Sequence, residues 1–229
     1  MPRSINKIKV YFYFFSLIVL SSILNVNISD NLKKIFLVEI LEVNNHSNDL
    51  KEIMYNQIEF TLNQNILNLD QSFINQKLNN LKIFEKIEVK KKYPNKLVIF
   101  AKKTDFIAIG FKEGKKYYVG NNSNLIPKDL LHTKKNLPII FGDFKVNDFL
   151  NLKDILTKLD YNLTNINKFY YHKNNRWDIY FNNGILLMLP NKNLEDTLNK
   201  YRAFKNNNKI SKNSIIDLRV KNRIVIKNE

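Results

Sequence analysis

The chain contains no cysteine, which excludes disulfides, thiolate-ligated zinc, iron–sulfur clusters and thiol nucleophiles together. Glycine is scarce, 5 in 229 residues, and neither a glycine-rich phosphate loop nor a Gly-x-Ser-x-Gly elbow occurs. There are three histidines, His46, His132 and His172. None sits three or four residues from another histidine or a carboxylate within a helical pattern, so no metal motif is present. His46 and His132 fall in expected loops and His172 at a strand end, where a solvated side chain is the ordinary state. Acids are in short supply, 21 against 37 lysines and arginines. Pairs such as Glu195-Asp196 fall at a helix start, where the macrodipole accounts for them. These absences remove the usual catalytic constellations. The sequence reads as a binding protein and not an enzyme, and no catalytic residue, cofactor or metal site is assigned.

What is present first is a long uncharged run, Val10 to Ser29, bounded by Lys9 and Asp30. About 20 apolar residues in a helix cross a hydrocarbon core of roughly 30 Å. Arg3, Lys7 and Lys9 precede the run with no acid among them, and positive flanks stay cytoplasmic. The expected layout is a cytoplasmic tail at 1–9, a single transmembrane helix at 10–29 and an exported remainder. A cleaved signal peptide is the competing reading. The run is longer than a signal core, and no Ala-x-Ala site follows it.

The exported part is long enough for one large domain or two small ones, and its apolar content supports a real core. The net charge of +16 raises the question of nucleic acid. Against that, the cations are scattered, the densest cluster being Lys90-Lys91-Lys92, and the topology puts them outside the cytoplasm. Asparagine is as abundant as lysine and arginine together. Enrichment in Lys, Asn and Ile is what an A+T-rich genome imposes on any protein. The functional alternative is attraction to anionic headgroups or to an acidic partner.

Two patterns divide the remainder. Ile35 to Val43 reads as a strand, rich in β-branched residues and ending at Asn44-Asn45. Asp49 and Glu52 resemble a capping box, followed by Leu50, Ile53, Met54, Ile58 and Leu62 at helical spacing. Asp70 can cap a second helix with Ile74, Leu78 and Leu81 on one face. The period then drops to two at Ile87 and Val89, Pro94-Asn95 turns the chain, and Leu97–Ala101 returns. This is β-α-α-β-β over 35–110. The second part, 111–229, reads as mostly β with flanking helices. Strands are expected at Tyr117–Val119, Leu137–Gly142, Asn167–Tyr171, Trp177–Phe181 and Ile185–Leu189. The last two are joined by Asn183-Gly184, a hairpin signal because both turn residues favour positive φ. Helices are expected around Phe149–Leu159 and Leu194–Phe204, the latter capped by Asn193. Ser214–Val220 and Ile224–Ile226 end the chain as strands. The fold class is α+β.

The order and spacing of these features resemble the FtsQ/DivIB family of bacterial cell-division proteins. Phe84-Glu-Lys-Ile-Glu-Val89 with Lys92-Tyr-Pro-Asn-Lys-Leu97 resembles the hairpin of its first module. Leu137-Pro138 with Gly142, Arg176-Trp177, Asn183-Gly184 and Leu189-Pro190 fall in family order. Ile216-Asp217-Leu218-Arg219 is the sharpest single match. The chain departs from the family after the hairpin, where Lys103 and Phe106 stand in place of a Glu and a Pro, and after Arg219. Trp177 on its own reads as a core anchor sooner than as a ligand platform.

The resemblance implies a polypeptide-transport-associated (POTRA) domain at 35–110 and an FtsQ-type β domain at 111–229. It implies a divisome scaffold in the inner membrane at the septum, linking early and late septum proteins through its periplasmic part. The implied partners are FtsB, itself paired with FtsL, and other divisome proteins, with no nucleic acid. The implied partner-binding residues are Arg219, Val220, Lys221, Asn222, Ile224, Val225 and Ile226. Val220, Ile224 and Ile226 alternate with Lys221 and Lys227, as on an edge strand with one buried face. Arg219 is expected to hold a partner carboxylate. The alternative that keeps the fold is an anchored POTRA-type module in protein secretion or envelope assembly.

Overall fold

A computed structural model describes residues 7–23, 33–44, 48–131 and 135–227. The apolar run forms helix α1, Lys7–Ile23, 17 residues whose aromatics Tyr11, Phe12, Tyr13, Phe14 and Phe15 are all exposed. Among the described residues no helix is both long and apolar enough to cross a membrane. The expected anchor extends to residue 29, and residues 24–29 lie outside the described residues.

Chain contacts divide the protein into two units, residues 1–80 with 86–102, and residues 81–85 with 103–229. The first contains strand β1 (Ile40–Asn44), helices α2 (Asn48–Ile58) and α3 (Gln71–Asn79), and the hairpin β2 (Phe84–Lys92) and β3 (Lys96–Lys103). Its sheet has the order β1-β3-β2, with β1 parallel to β3. Parallel neighbours require a crossover, and the two helices supply it. The helical period places Leu50, Met54 and Ile58 on one side of α2 and Ile74 and Leu78 on one side of α3, all five buried. Leu97 and Ile99 of β3 are buried too, and face the same way as Val43 by register. Tyr55 donates its hydroxyl to the Leu41 carbonyl at 2.8 Å, and Gln71 donates to the Val89 carbonyl at 3.1 Å, so each helix is tied to a strand. Asp70 caps α3 as expected, accepting from the Ser72 N–H at 2.8 Å.

Three expectations for this unit need correction. The opening strand is shorter: residues 33–35 are helical and β1 begins at Ile40. Asp49 is not a cap, because α2 starts at Asn48 and Asp49 lies inside its first turn, where an acid offsets the dipole. The boundary at 110 falls too late. Residues 106–112 form β4 of the second sheet, where Ile109 pairs with both Tyr118 and Ile139.

The second unit is built on β4 (Phe106–Lys112), β5 (Lys115–Gly120), β6 (Leu125–Pro127), β7 (Ile139–Phe141), β8 (Ile166–His172), β9 (Arg176–Phe181), β10 (Leu186–Met188), β11 (Ile215–Asp217) and β12 (Val225–Lys227). They form one sheet in the order β12-β11-β10-β9-β8-β7-β4-β5-β6. Helix α4 (Val146–Lys158) joins the parallel pair β7 and β8, and α5 (Leu194–Asn207) joins the parallel pair β10 and β11. Phe149, Leu152 and Leu156 of α4 and Leu198 and Tyr201 of α5 share one buried cluster with Ile140, Phe169, Ile179, Leu187 and Ile216 of the sheet. Trp177, 2% exposed, lies within about 6 Å of the rings of Phe149, Phe169 and Tyr171, the core role expected for it. Gly142 stands at φ +101°, where a Cβ would come within 2.1 Å of the Tyr171 carbonyl oxygen, so the close approach of β7 and β8 needs glycine.

The Asn183-Gly184 turn differs from the expected two-residue form. Only Gly184 has positive φ, and Phe181 donates its N–H to the Ile185 carbonyl around the three-residue loop Asn182-Asn183-Gly184. Asn193 occupies the cap position of α5 in a left-handed conformation, but its side chain makes no cap bond.

Candidate partner-binding site

The terminal edge of the second unit follows from how β11 uses its backbone. Leu186 donates its N–H to the Ser214 carbonyl, and Leu218 donates to the Met188 carbonyl, both at 3.0 Å. In a ladder the groups of successive residues point to opposite sides. Ser214, Ile216 and Leu218 therefore face β10, and Ile215 and Asp217 face β12. Their partners are Lys227 and Val225, while Ile226 lies opposite Ile216. The N–H and C=O of Ile226 point outward from the sheet, and β12 is its edge.

The seven expected site residues are not one strand. Arg219 follows β11, and Val220, Lys221 and Asn222 form a turn, closed by the Arg223 N–H donating to the Val220 carbonyl at 3.1 Å. Asn222 adopts φ 59°, a left-handed value that its side chain tolerates. Ile224 packs partly buried against the core cluster. Only Val225 and Ile226 are in the strand, 40% and 37% exposed. The one-buried-face expectation fails for β12, whose three residues are all exposed.

Arg219 has one edge of its guanidinium engaged. Its Nε donates to Asp217 Oδ1 at 2.7 Å and its Nη2 to Asp217 Oδ2, while the same Oδ1 also accepts the Arg219 backbone N–H. These bonds from Arg219 hold the Asp217 carboxyl below its ordinary range and raise Arg219 in turn. The pair engages the Nε–Nη2 edge of the guanidinium and fixes the start of the turn, and the Nη1–Nη2 edge is the one left toward an incoming carboxylate.

The positive character of the edge comes from other residues. A groove of about 490 Å³ lies between the start of α5 and the terminal turn. Lys192, Lys200, Lys221 and Arg223 line it with a single acid, Asp196. Lys200 pairs with Asp196 at 2.8 Å and donates to Asn222 Oδ1 at 3.2 Å, clasping α5 to the turn. Lys192, Lys221 and Arg223 have no ion-pair partner among the described residues. The start of α5 is the part of the site that sequence reasoning missed. Its signal was the β10–α5–β11 crossover, which returns the helix start to the end of β11.

His172 is not simply solvated. Its Nε2 lies 2.7 Å from Asp178 Oδ2, and Arg176 Nε lies 3.5 Å from Asp178 Oδ1. His46 and His132 lie outside the described residues. Among the described residues no group of three His, Cys, Asp or Glu side chains is placed to hold a metal ion.

Residues 109–219 match the family described as cell division protein FtsQ/DivIB, C-terminal. The second unit carries the FtsQ/DivIB C-terminal domain. The matched span begins within β4 and ends at Arg219, so the FtsQ/DivIB match covers the strands β5 to β11 with α4 and α5, and β12 lies beyond it. The chain is also similar to the solved major extracytoplasmic domain of the trans isomer of the cell-division protein DivIB from Geobacillus stearothermophilus. The identity is 18%, the alignment covers 45% of this chain and 92% of that one, and the TM-score is 0.33. No curated protein matches the chain. That match gives the protein a role in cell division.

Proposed function

We propose that the protein is a non-enzymatic division scaffold, held in the inner membrane by the helix that begins at Lys7, with its two folded units on the periplasmic side. The first unit acts as a POTRA domain; its β-α-α-β-β order and its layer of two helices on a three-stranded sheet support that reading. The second unit receives a segment of FtsB, paired with FtsL, as an added strand on β12. The observation that carries the proposal is the outward N–H and C=O of Ile226 on a free edge beside a basic groove. Strand addition draws its affinity from such backbone groups and its specificity from side-chain pockets beside them. The groove favours an acidic partner segment.

Truncation after Arg223 removes β12 and keeps Leu218, a core residue 3% exposed. The truncated protein is expected to insert, fold and fail to capture FtsB or to complement division. Capture at wild-type strength by the folded truncation would place the interface elsewhere. A C-terminal alkaline phosphatase fusion is expected to be active. An inactive fusion alongside an active cytoplasmic reporter would refute the membrane arrangement.

A further inference from the structure

A second cavity, of about 750 Å³, opens where the C-terminal ends of α4 and α5 meet the loop between β9 and β10. It shares no lining residue with the terminal groove. Its wall carries amides. Asn162, Asn165, Asn182, Asn183 and Asn206 all line it. Asparagine is common throughout this chain, so their number alone decides nothing. Their bonding does.

Three of them are fixed by the backbone through one end of the amide. Asn162 Oδ1 accepts from the Thr164 N–H at 2.9 Å and from its hydroxyl at 2.7 Å. Asn182 Nδ2 donates to the Thr164 carbonyl at 2.9 Å, and Asn183 Oδ1 accepts from the Ile185 N–H at 3.3 Å. The opposite ends, Asn162 Nδ2, Asn182 Oδ1 and Asn183 Nδ2, have no partner among the described residues, and neither do the side chains of Asn165 and Asn206. Held donors and acceptors are therefore both present among the lining residues. The charge there is largely internal: Arg202 donates to the Leu159 carbonyl at 3.2 Å and lies 3.4 Å from Asp160 Oδ2. Half-buried Phe181 and Tyr161 add apolar wall, with the Tyr161 hydroxyl bonded to the Leu198 carbonyl.

We propose that this cavity binds a neutral oligosaccharide. Sugar hydroxyls each donate and accept, which matches fixed amides of both senses better than a charged ligand does. Ring faces rich in C–H groups suit the aromatic wall. The volume falls in the range of small-ligand sites, and a wall already hydrogen-bonded loses little freedom on binding. A phosphate site would instead need converging free cations, and among the described residues only Lys205 is a lining cation without a partner.

The test uses the full chain in detergent with chitotriose and maltotriose as probes and inorganic phosphate as the anion control. Ligand-detected saturation-transfer NMR is expected to show contact with at least one trisaccharide and none with phosphate. Asn165→Ala with Asn206→Ala removes two exposed, unpartnered amides and is expected to weaken binding about tenfold with unchanged thermal unfolding. Phe181→Ala gives a second variant, expected to lose the aromatic contribution to the transfer signal. No signal from either sugar, equal binding by the double variant, or binding of phosphate in place of sugar would each overturn the assignment.

Discussion

A proline scan of the terminal strand separates strand addition from stability. Proline removes the backbone N–H of the residue it replaces. At Val225 that N–H faces Asp217 and belongs to the sheet. At Ile226 it faces outward, since Ile216 opposite is committed to β10. The two substitutions are adjacent and chemically alike, yet the ladder assigns them opposite consequences. Val225→Pro breaks a native pairing and is expected to lower the melting temperature. Ile226→Pro leaves the β11–β12 bonds intact and is expected to melt near wild type. Against the partner, Ile226→Pro loses one hydrogen bond and orphans the carbonyl that would have accepted it. An orphaned buried acceptor costs about 1–3 kcal/mol, or about 5- to 150-fold in Kd. The assay is calorimetric titration of each folded variant with a soluble FtsB segment, alongside thermal unfolding. Wild-type affinity for folded Ile226→Pro would refute strand addition at this edge.

Two further predictions concern stability. Leu78→Ala removes a fully buried side chain of α3 and is expected to destabilise the first unit by about 2–5 kcal/mol in chemical unfolding. Asp217 titrates below its ordinary value of 3.8 when folded, so its contribution is complete above that pH and is lost as pH falls through the lower folded value. Asp217→Asn is expected to flatten the stability profile below about pH 3.8, read from urea unfolding across the acid range.

The fold was legible where periodicity met burial. Leu50, Met54 and Ile58, then Ile74 and Leu78, announced two helices because a one-sided core demands that spacing. Trp177 and the β8–β9 pairing were legible for the same reason. The first strand was overread because Ile35 to Leu37 are β-formers, and intrinsic preference yields to the helical turn at 33–35. The boundary at 110 was misplaced because β4 follows β3 without a composition change, and only pairing shows which sheet claims it. At the terminal edge, the Ile216–Arg219 motif falls on the end of β11 and the start of the turn after it. Alternation from Val220 to Lys227 suggested a continuous strand, because a turn carried by Asn222 in a left-handed conformation leaves no Gly or Pro signal.

The Asp217–Arg219 pair changes how charge works at this edge. A guanidinium bound through its Nε–Nη2 edge has its charge largely matched by its neighbour and keeps only the Nη1–Nη2 edge for a partner. Its role is to hold the turn, and attraction falls to Lys192, Lys221 and Arg223, which have no ion-pair partner among the described residues. These two roles separate kinetically. Rim charges steer encounter and set salt dependence, whereas loss of a structural pair changes the bound state. Lys221→Glu with Arg223→Glu is therefore expected to lower the association rate for FtsB at low salt, with the deficit shrinking as salt rises. Arg219→Glu places two acids at the turn and is expected to speed dissociation and disturb the local fold at every salt concentration. Stopped-flow binding at two ionic strengths distinguishes them. If the Arg219 variant instead showed the salt-dependent association defect and the double variant did not, Arg219 would be the partner's contact and the intramolecular pair would yield on binding.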